Sequence, residues 1–323
     1  MRRRIGLLTA IACLTAQAAS ACSFDGFPIP TSIVDRLIGS NQIVLTRPDP
    51  DEVLRFTITE VVEGDPGTSQ VPLTLSAIER KRLEANPDDM VMFARAGAFS
   101  NWQRIGYVPA RHHDLFGRIA DRLPDWRREA DLDRAATFAP YADDDDPLIR
   151  TAALVELGRQ QYADLRMLDH ARDAGALMER LDVLSEQYLV PIRLQLIGLS
   201  KDRAALGSLE NRLAGAVQAN DPNLRHYATA YIELGGAGAV EAVSREYLTD
   251  TSLSLDAKRK IMDAIGLHQR EGDPRLRVML QWAVQQAQVT APGLRPTGMG
   301  RFHGSLRQRL STPVAVSTGS GQG

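Results

Sequence analysis

The rhythm of hydrophobic and polar positions changes three times along this chain. A short, largely apolar run, Ile5 to Leu14, follows three arginines at the start. Between about residues 42 and 108 the apolar positions alternate or fall in short runs. The stretch Val53-Leu54-Arg55-Phe56-Thr57-Ile58-Thr59-Glu60-Val61 alternates for much of its length, which predicts a strand with one buried face. From about Asp114 to Ala287 the pattern becomes helical. From Val289 onward Pro, Gly, Ser and Thr dominate, a composition that buries too little surface to order itself.

In the first of these regions, Thr31-Ser32 is placed to cap a short helix over Ile33 to Leu37 that ends near Gly39. Strands are expected over Gln42 to Thr46, residues 53–61, Val71 to Leu75, Met90 to Ala94 and Trp102 to Val108. Met90 to Ala94 is apolar throughout and so is expected at the centre of the sheet. Glu63-Gly64-Asp65-Pro66-Gly67 is turn chemistry. A helix over Ile78 to Ala85 is stopped by Asn86-Pro87-Asp88-Asp89. A cysteine at Cys22, a helix, the strand Gln42-Ile43-Val44-Leu45, the turn Val61-Val62-Glu63-Gly64 and the segment at 87–94 follow one another here. In that order they resemble the netrin-like module, the OB-type barrel of tissue inhibitors of metalloproteinases. The resemblance covers about a quarter of the chain and implies a small barrel and protease inhibition. The chain departs from the family in lacking paired cysteines.

The helical region opens with expected helices over Asp114 to Arg122 and Trp126 to Ala136, and then repeats a motif. Asp146-Pro147-Leu148-Ile149-Arg150 leads into an Ala-rich helix ending at Gly158, and Asp221-Pro222-Asn223-Leu224-Arg225 leads into one ending at Gly235. Pro191-Ile192-Arg193-Leu194-Gln195-Leu196-Ile197-Gly198-Leu199 is a looser copy, with Gly198 in the terminal position, and Asp256-Ala257-Lys258 opens a fourth without the proline. Aspartate caps a helix, and proline fits its first turn because no N–H is needed there. Alanine lets a neighbouring helix approach, and glycine ends the helix. The basic residues Arg193, Arg225 and Lys258 are spaced 32 and 33 apart, while Arg150 precedes Arg193 by 43. A self-similar helical unit of that size indicates a solenoid. The pattern resembles HEAT repeats, especially the short bacterial kind, which implies an extended concave face for binding. A last helix is expected from Asp273 to Ala287.

The chain start changes the compartment. Arg2-Arg3-Arg4, the apolar run and the small residues Ala16 to Ala21 form the three parts of a secretory signal. Ala19-Ser20-Ala21 predicts cleavage before Cys22, which leaves a periplasmic or secreted chain. The run is shorter than the roughly 20 apolar residues a membrane span needs. Cys22 is also a lipidation candidate, although Ala19 stands where a lipobox usually has Leu. With Cys13 removed only one cysteine remains, so neither an internal disulfide nor a thiolate zinc site can form.

The remaining expectations concern architecture and chemistry. Of 323 residues, 44% are apolar and only 6% aromatic, a balance that favours packed helices. The fold class is α+β, mostly α. It divides into a signal peptide (1–21), a β-rich domain (22–112), a helical repeat domain (113–288) and a disordered tail (289–323). The 38 basic and 40 acidic residues, with three arginines lost to the signal, give a net charge near −5. That argues against a nucleic-acid partner. His112, His113 and Asp114 are the metal candidates, although adjacent side chains on a regular element point apart. Asp143 to Asp146 lacks the glycine and distal glutamate of a calcium loop. With no elbow serine and no dinucleotide glycine pattern, no cofactor is expected. Three functions stay open. The first is a non-enzymatic scaffold for another envelope protein, touching a membrane only if Cys22 is lipidated. The second is a metal-dependent or hydrolytic enzyme at the domain junction. The third is a protease-inhibitor-like β-domain.

Overall fold

The computed structural model describes residues 28, 30–49, 51–52, 55–72, 76–128, 131–168, 173–268 and 285. The signal segment, Cys22, all but residue 285 of the helix expected from Asp273, and the tail lie outside these residues.

The chain folds as α+β and is mostly helical, with a curled antiparallel sheet preceding the helices. Helix α1 (Ile33–Ile38) begins where expected because Ser32 and Asp35 form a reciprocal capping box. Strand β1 (Gln42–Pro48) pairs with β2 (Phe56–Glu63) and β4 (Met90–Arg95). β2 carries β3 (Gln70–Val71), and β4 carries β5 (Gln103–Val108), so the order is β3-β2-β1-β4-β5. The centre is therefore β1, and β4 stands beside it. Its residues Met90 to Ala94 are all apolar because both faces of the sheet are covered there. Ile43, Leu45, Met90, Met92 and Ala94 join the main helical core. Val44, Val91 and Phe93 face a smaller cluster that includes Leu83 of α2 (Ala77–Ala85).

A 3-10 turn (Ala110–His112) leads into α3 (His113–Trp126). That helix runs past its expected end at Arg122 and through Pro124, because the buried stripe of Leu115, Phe116, Ile119 and Leu123 continues to Trp126. Trp126 thus ends one helix and does not open the next, which is α4 (Asp131–Phe138). There follow α5 (Pro147–Gly158), α6 (Tyr162–Leu165), α7 (Ala174–Glu179), a 3-10 segment (Leu184–Leu189), α8 (Val190–Leu199), α9 (Leu206–Ala219), α10 (Leu224–Gly235), α11 (Ala237–Val243) and α12 (Leu255–Leu267).

The four helices that carry the repeated motif pack against one another in sequence order, α5 on α8, α8 on α10 and α10 on α12. Three of them have the preceding helix alongside: α4 by α5, α7 by α8, α9 by α10. The preceding helices α7 and α9 mix buried with exposed positions, whereas every residue of α8 is buried. One apolar cluster runs without interruption from α1 and the sheet through α12.

The motif chemistry holds fully only at its first copy. Asp146 caps α5, accepting from the Leu148 N–H at 2.9 Å, and Pro147 is the first helical residue. Asp221-Pro222 instead forms the turn before α10, with Asp221 accepting from the Asn223 N–H. Ser254, not Asp256, caps α12, and Asp256 pairs with Lys260 and Arg259. Gly198 does not end α8. It lets α10 close in, since a Cβ there would stand 2.8 Å from the Ala230 Cα.

Candidate functional site

The point where the sheet meets the helices gathers the largest set of polar side chains named in advance. It is built on the start of α5. Asp146 is 5% exposed, and besides capping it receives Arg82 of α2 at 3.3 Å. Arg82 also lies flat over the Tyr107 ring of β5, 3.6 Å from its centroid. Tyr107 donates to Asp89, whose other oxygen accepts from the Ala110 N–H at 2.7 Å. Burial, then the Asp89 hydrogen bond and charge, push the Tyr107 hydroxyl up to about 12. The next turn brings His112, which is 3% exposed, to Asp144, with 2.8 Å between Nε2 and Oδ2. The carbonyl chemistry of the loop is used as well. Arg150 donates from Nη1 to the backbone oxygens of Asp144 and Asp145.

Arg150 continues the site into the next motif copy, because α5 packs on both α8 and the Leu184–Leu189 segment. Arg193 on α8 is fully buried and donates to the Arg180 carbonyl at 3.1 Å and to Glu186. Arg180 reaches the other Glu186 oxygen at 3.3 Å. Burial and the neighbouring Arg180 charge both lower the Arg150 and Arg193 guanidinium pKa values, opposed by Glu186. Glu186 is held below the ordinary carboxylate range, because Arg193, Arg180 and Arg150 outweigh its burial. The Nε atoms of Arg180 and Arg193 are buried and donate to nothing.

Of the residues singled out in the sequence, the structure brings together His112, Asp144, Asp146, Arg150 and Arg193. Asp114, Asp143 and Asp145 are exposed, and His113 is the first residue of α3. Among the described residues no group of three or more His, Cys, Asp or Glu side chains could hold a metal ion. Pro147 and Pro222 stay exposed in their turns, whereas Lys258 is 2% exposed on α12. Arg225 stands beside His226, a fully buried imidazole that burial and then the Arg225 charge push down to about 3.

Two further polar clusters carried no advance signal. Arg134 joins Glu156 and Asp35 at 2.9 Å each, Ser32 donates to Glu156 at 2.5 Å, and Arg159 clasps Asp35. Glu233 of α10 receives Tyr162 at 3.0 Å and Arg166, with His268 Nε2 3.2 Å away. The contacts just named join residues 22 to 124 positions apart, a separation that no local spacing marks. Among the described residues, no helix is long and apolar enough to cross a membrane. No family model, curated protein or solved structure matches the chain.

Proposed function

We propose that the mature chain is an exported, non-enzymatic envelope protein. In this reading a short HEAT-like stack, fronted by an OB-type sheet, presents a surface to another envelope protein. The observation that carries it is the succession of the motif helices α5, α8, α10 and α12, each packed on the next. Stacked helix pairs of this kind serve mostly as binding surfaces. The order β3-β2-β1-β4-β5, with α2 between β3 and β4, supports the OB-type part. It is the connectivity of such a barrel left open between β3 and β5 in the described residues.

Burial shifts where a partner would land. With α8 wholly buried, the motif helices do not supply a continuous concave face there. The exposed positions belong to the preceding layer, as at Glu210, Asn211, Gly215 and Gln218 of α9 and Gly238 and Glu241 of α11. A photo-reactive residue at Gln218 should cross-link to one defined periplasmic protein, and one on the sheet side at Thr68 should not. Absence of any cross-link along α9 and α11 would refute the reading. Intact mass of the mature chain tests export separately: loss of residues 1–21 is expected, with a lipid mass on Cys22 only if the chain is anchored.

A further inference from the structure

The arginine cluster between α5 and α8 has more positive charge than its own carboxylates use. Around the start of α5 stand the guanidinium groups of Arg82, Arg111, Arg150, Arg180 and Arg193. Three carboxylates face these five: Asp146 caps α5 and pairs with Arg82, and Asp144 pairs with His112 and lies 3.9 Å from Arg111. Glu186 alone serves Arg180 and Arg193, with Arg150 close enough to feel its charge. Arg150 spends one nitrogen on loop carbonyls, and the Nε atoms of Arg180 and Arg193 are buried without an acceptor. Like charges crowded out of water are costly unless an anion joins them. Of the three arginines around Glu186, Arg150 and Arg193 are buried and Arg180 reaches solvent, with its side chain 36% exposed. It therefore marks the side from which an anion would enter.

We propose that Arg150, Arg180 and Arg193 form a binding site for a small oxyanion, a carboxylate or a phosphate, which Glu186 partly mimics from within the chain. The planar guanidinium fork suits either anion through paired N–H donors. Glu186 then has two effects. It keeps Arg193 neutralised when the site is empty, and it competes with the ligand.

The test is a titration of the full mature chain with inorganic phosphate and, separately, with succinate, each against chloride at equal ionic strength. Side-chain Nε–H resonances of Arg180 and Arg193 should move saturably with at least one oxyanion and not with chloride. The tighter of the two probes identifies the ligand as phosphate or carboxylate. Arg180 is part-exposed, so Arg180→Gln should fold normally while weakening binding by about tenfold, the worth of one charge-assisted hydrogen bond. Glu186→Gln removes the competitor and should bind more tightly, and any loss of its thermal stability should be restored by the oxyanion. Resonances that stay still, an equal response to chloride, or an Arg180→Gln variant that binds as tightly as the native chain would each overturn the site.

Discussion

Glu156 shows how much one side chain can hold. Its carboxylate is 1% exposed, accepts from Ser32 at the start of α1 and ion-pairs with Arg134 of α4. Removing one partner of a buried pair leaves the other charge stranded, typically at a cost of 3–5 kcal/mol. Arg134 keeps Asp35 at 2.9 Å, so Glu156→Ala should lose about 3 kcal/mol, at the low end of that range. Glu156→Gln keeps the acceptor for Ser32 and should lose less. Urea unfolding of both variants measures the difference, and equal midpoints would contradict this account. The sequence did not mark the residue, because Arg134 and Ser32 come from 22 and 124 positions away, and Arg159 three positions on is an ordinary helical neighbour. Arg150 and Arg193 were visible, as members of a repeated motif, but what they hold was not. Several of their acceptors are backbone oxygens, of Asp144, Asp145 and Arg180, and a backbone carbonyl carries no residue-type signal.

Among the elements, local grammar was legible wherever a cap or a face decides the structure. Ser32 and Asp35 fix α1, and the apolar run of β4 matches a strand covered on both sides. It misled where two local signals competed. The helix from Asp114 was expected to end at Arg122, yet the buried stripe of α3 carried it through Pro124 to Trp126. Asp221-Pro222 read as a helix start, but Asp221 closes the preceding turn on Asn223. Gly198 read as a helix end and instead sets the approach of α8 to α10. A Cβ there meets the Ala230 Cα at 2.8 Å and its carbonyl oxygen at 3.1 Å. Both atoms are backbone, so relief requires the helices to part. Gly198→Ala should therefore destabilise the chain by about 1–3 kcal/mol, as overpacking does, despite alanine's better helix propensity. Gly207→Ala on the exposed side of α9 meets nothing within 4 Å and should be neutral or slightly stabilising. Thermal melts of the pair separate packing from propensity.

Across the whole molecule, sheet and helices share one core and several polar links: Arg127 binds Glu63 at 2.6 Å and the Ser40 carbonyl at 2.7 Å, and Arg36 binds the Ile105 carbonyl at 2.8 Å. The described residues should therefore unfold together, and acid should act on that single transition through groups in several places. Burial alone would raise the Glu233 carboxyl, but His268 and then Arg166 outweigh it and hold the group at about 2, below its ordinary 4.5. Asp35 is likewise held well below 3.8, because the hydrogen bonds of Arg159, Ser32 and Arg134 outweigh its burial. A carboxyl depressed by folding contributes its full stability above its unfolded pKa and loses it as pH falls through the folded value. His226 has the same sign for a different reason. Burial keeps it neutral down to about 3 against an ordinary 6.5, so folding is opposed progressively as pH drops below 6.5. The unfolding free energy should be level in these groups above pH 6.5. It should then fall by about 1.4 kcal/mol per pH unit as His226 alone acts, and more steeply below 4.5 as Glu233 joins it. His226→Gln should flatten the curve between pH 6.5 and 4.5, and Glu233→Gln only the part below 4.5. Urea titrations at stepped pH distinguish the two. A native curve without slope between 6.5 and 4.5 would mean that His226 is charged inside the fold.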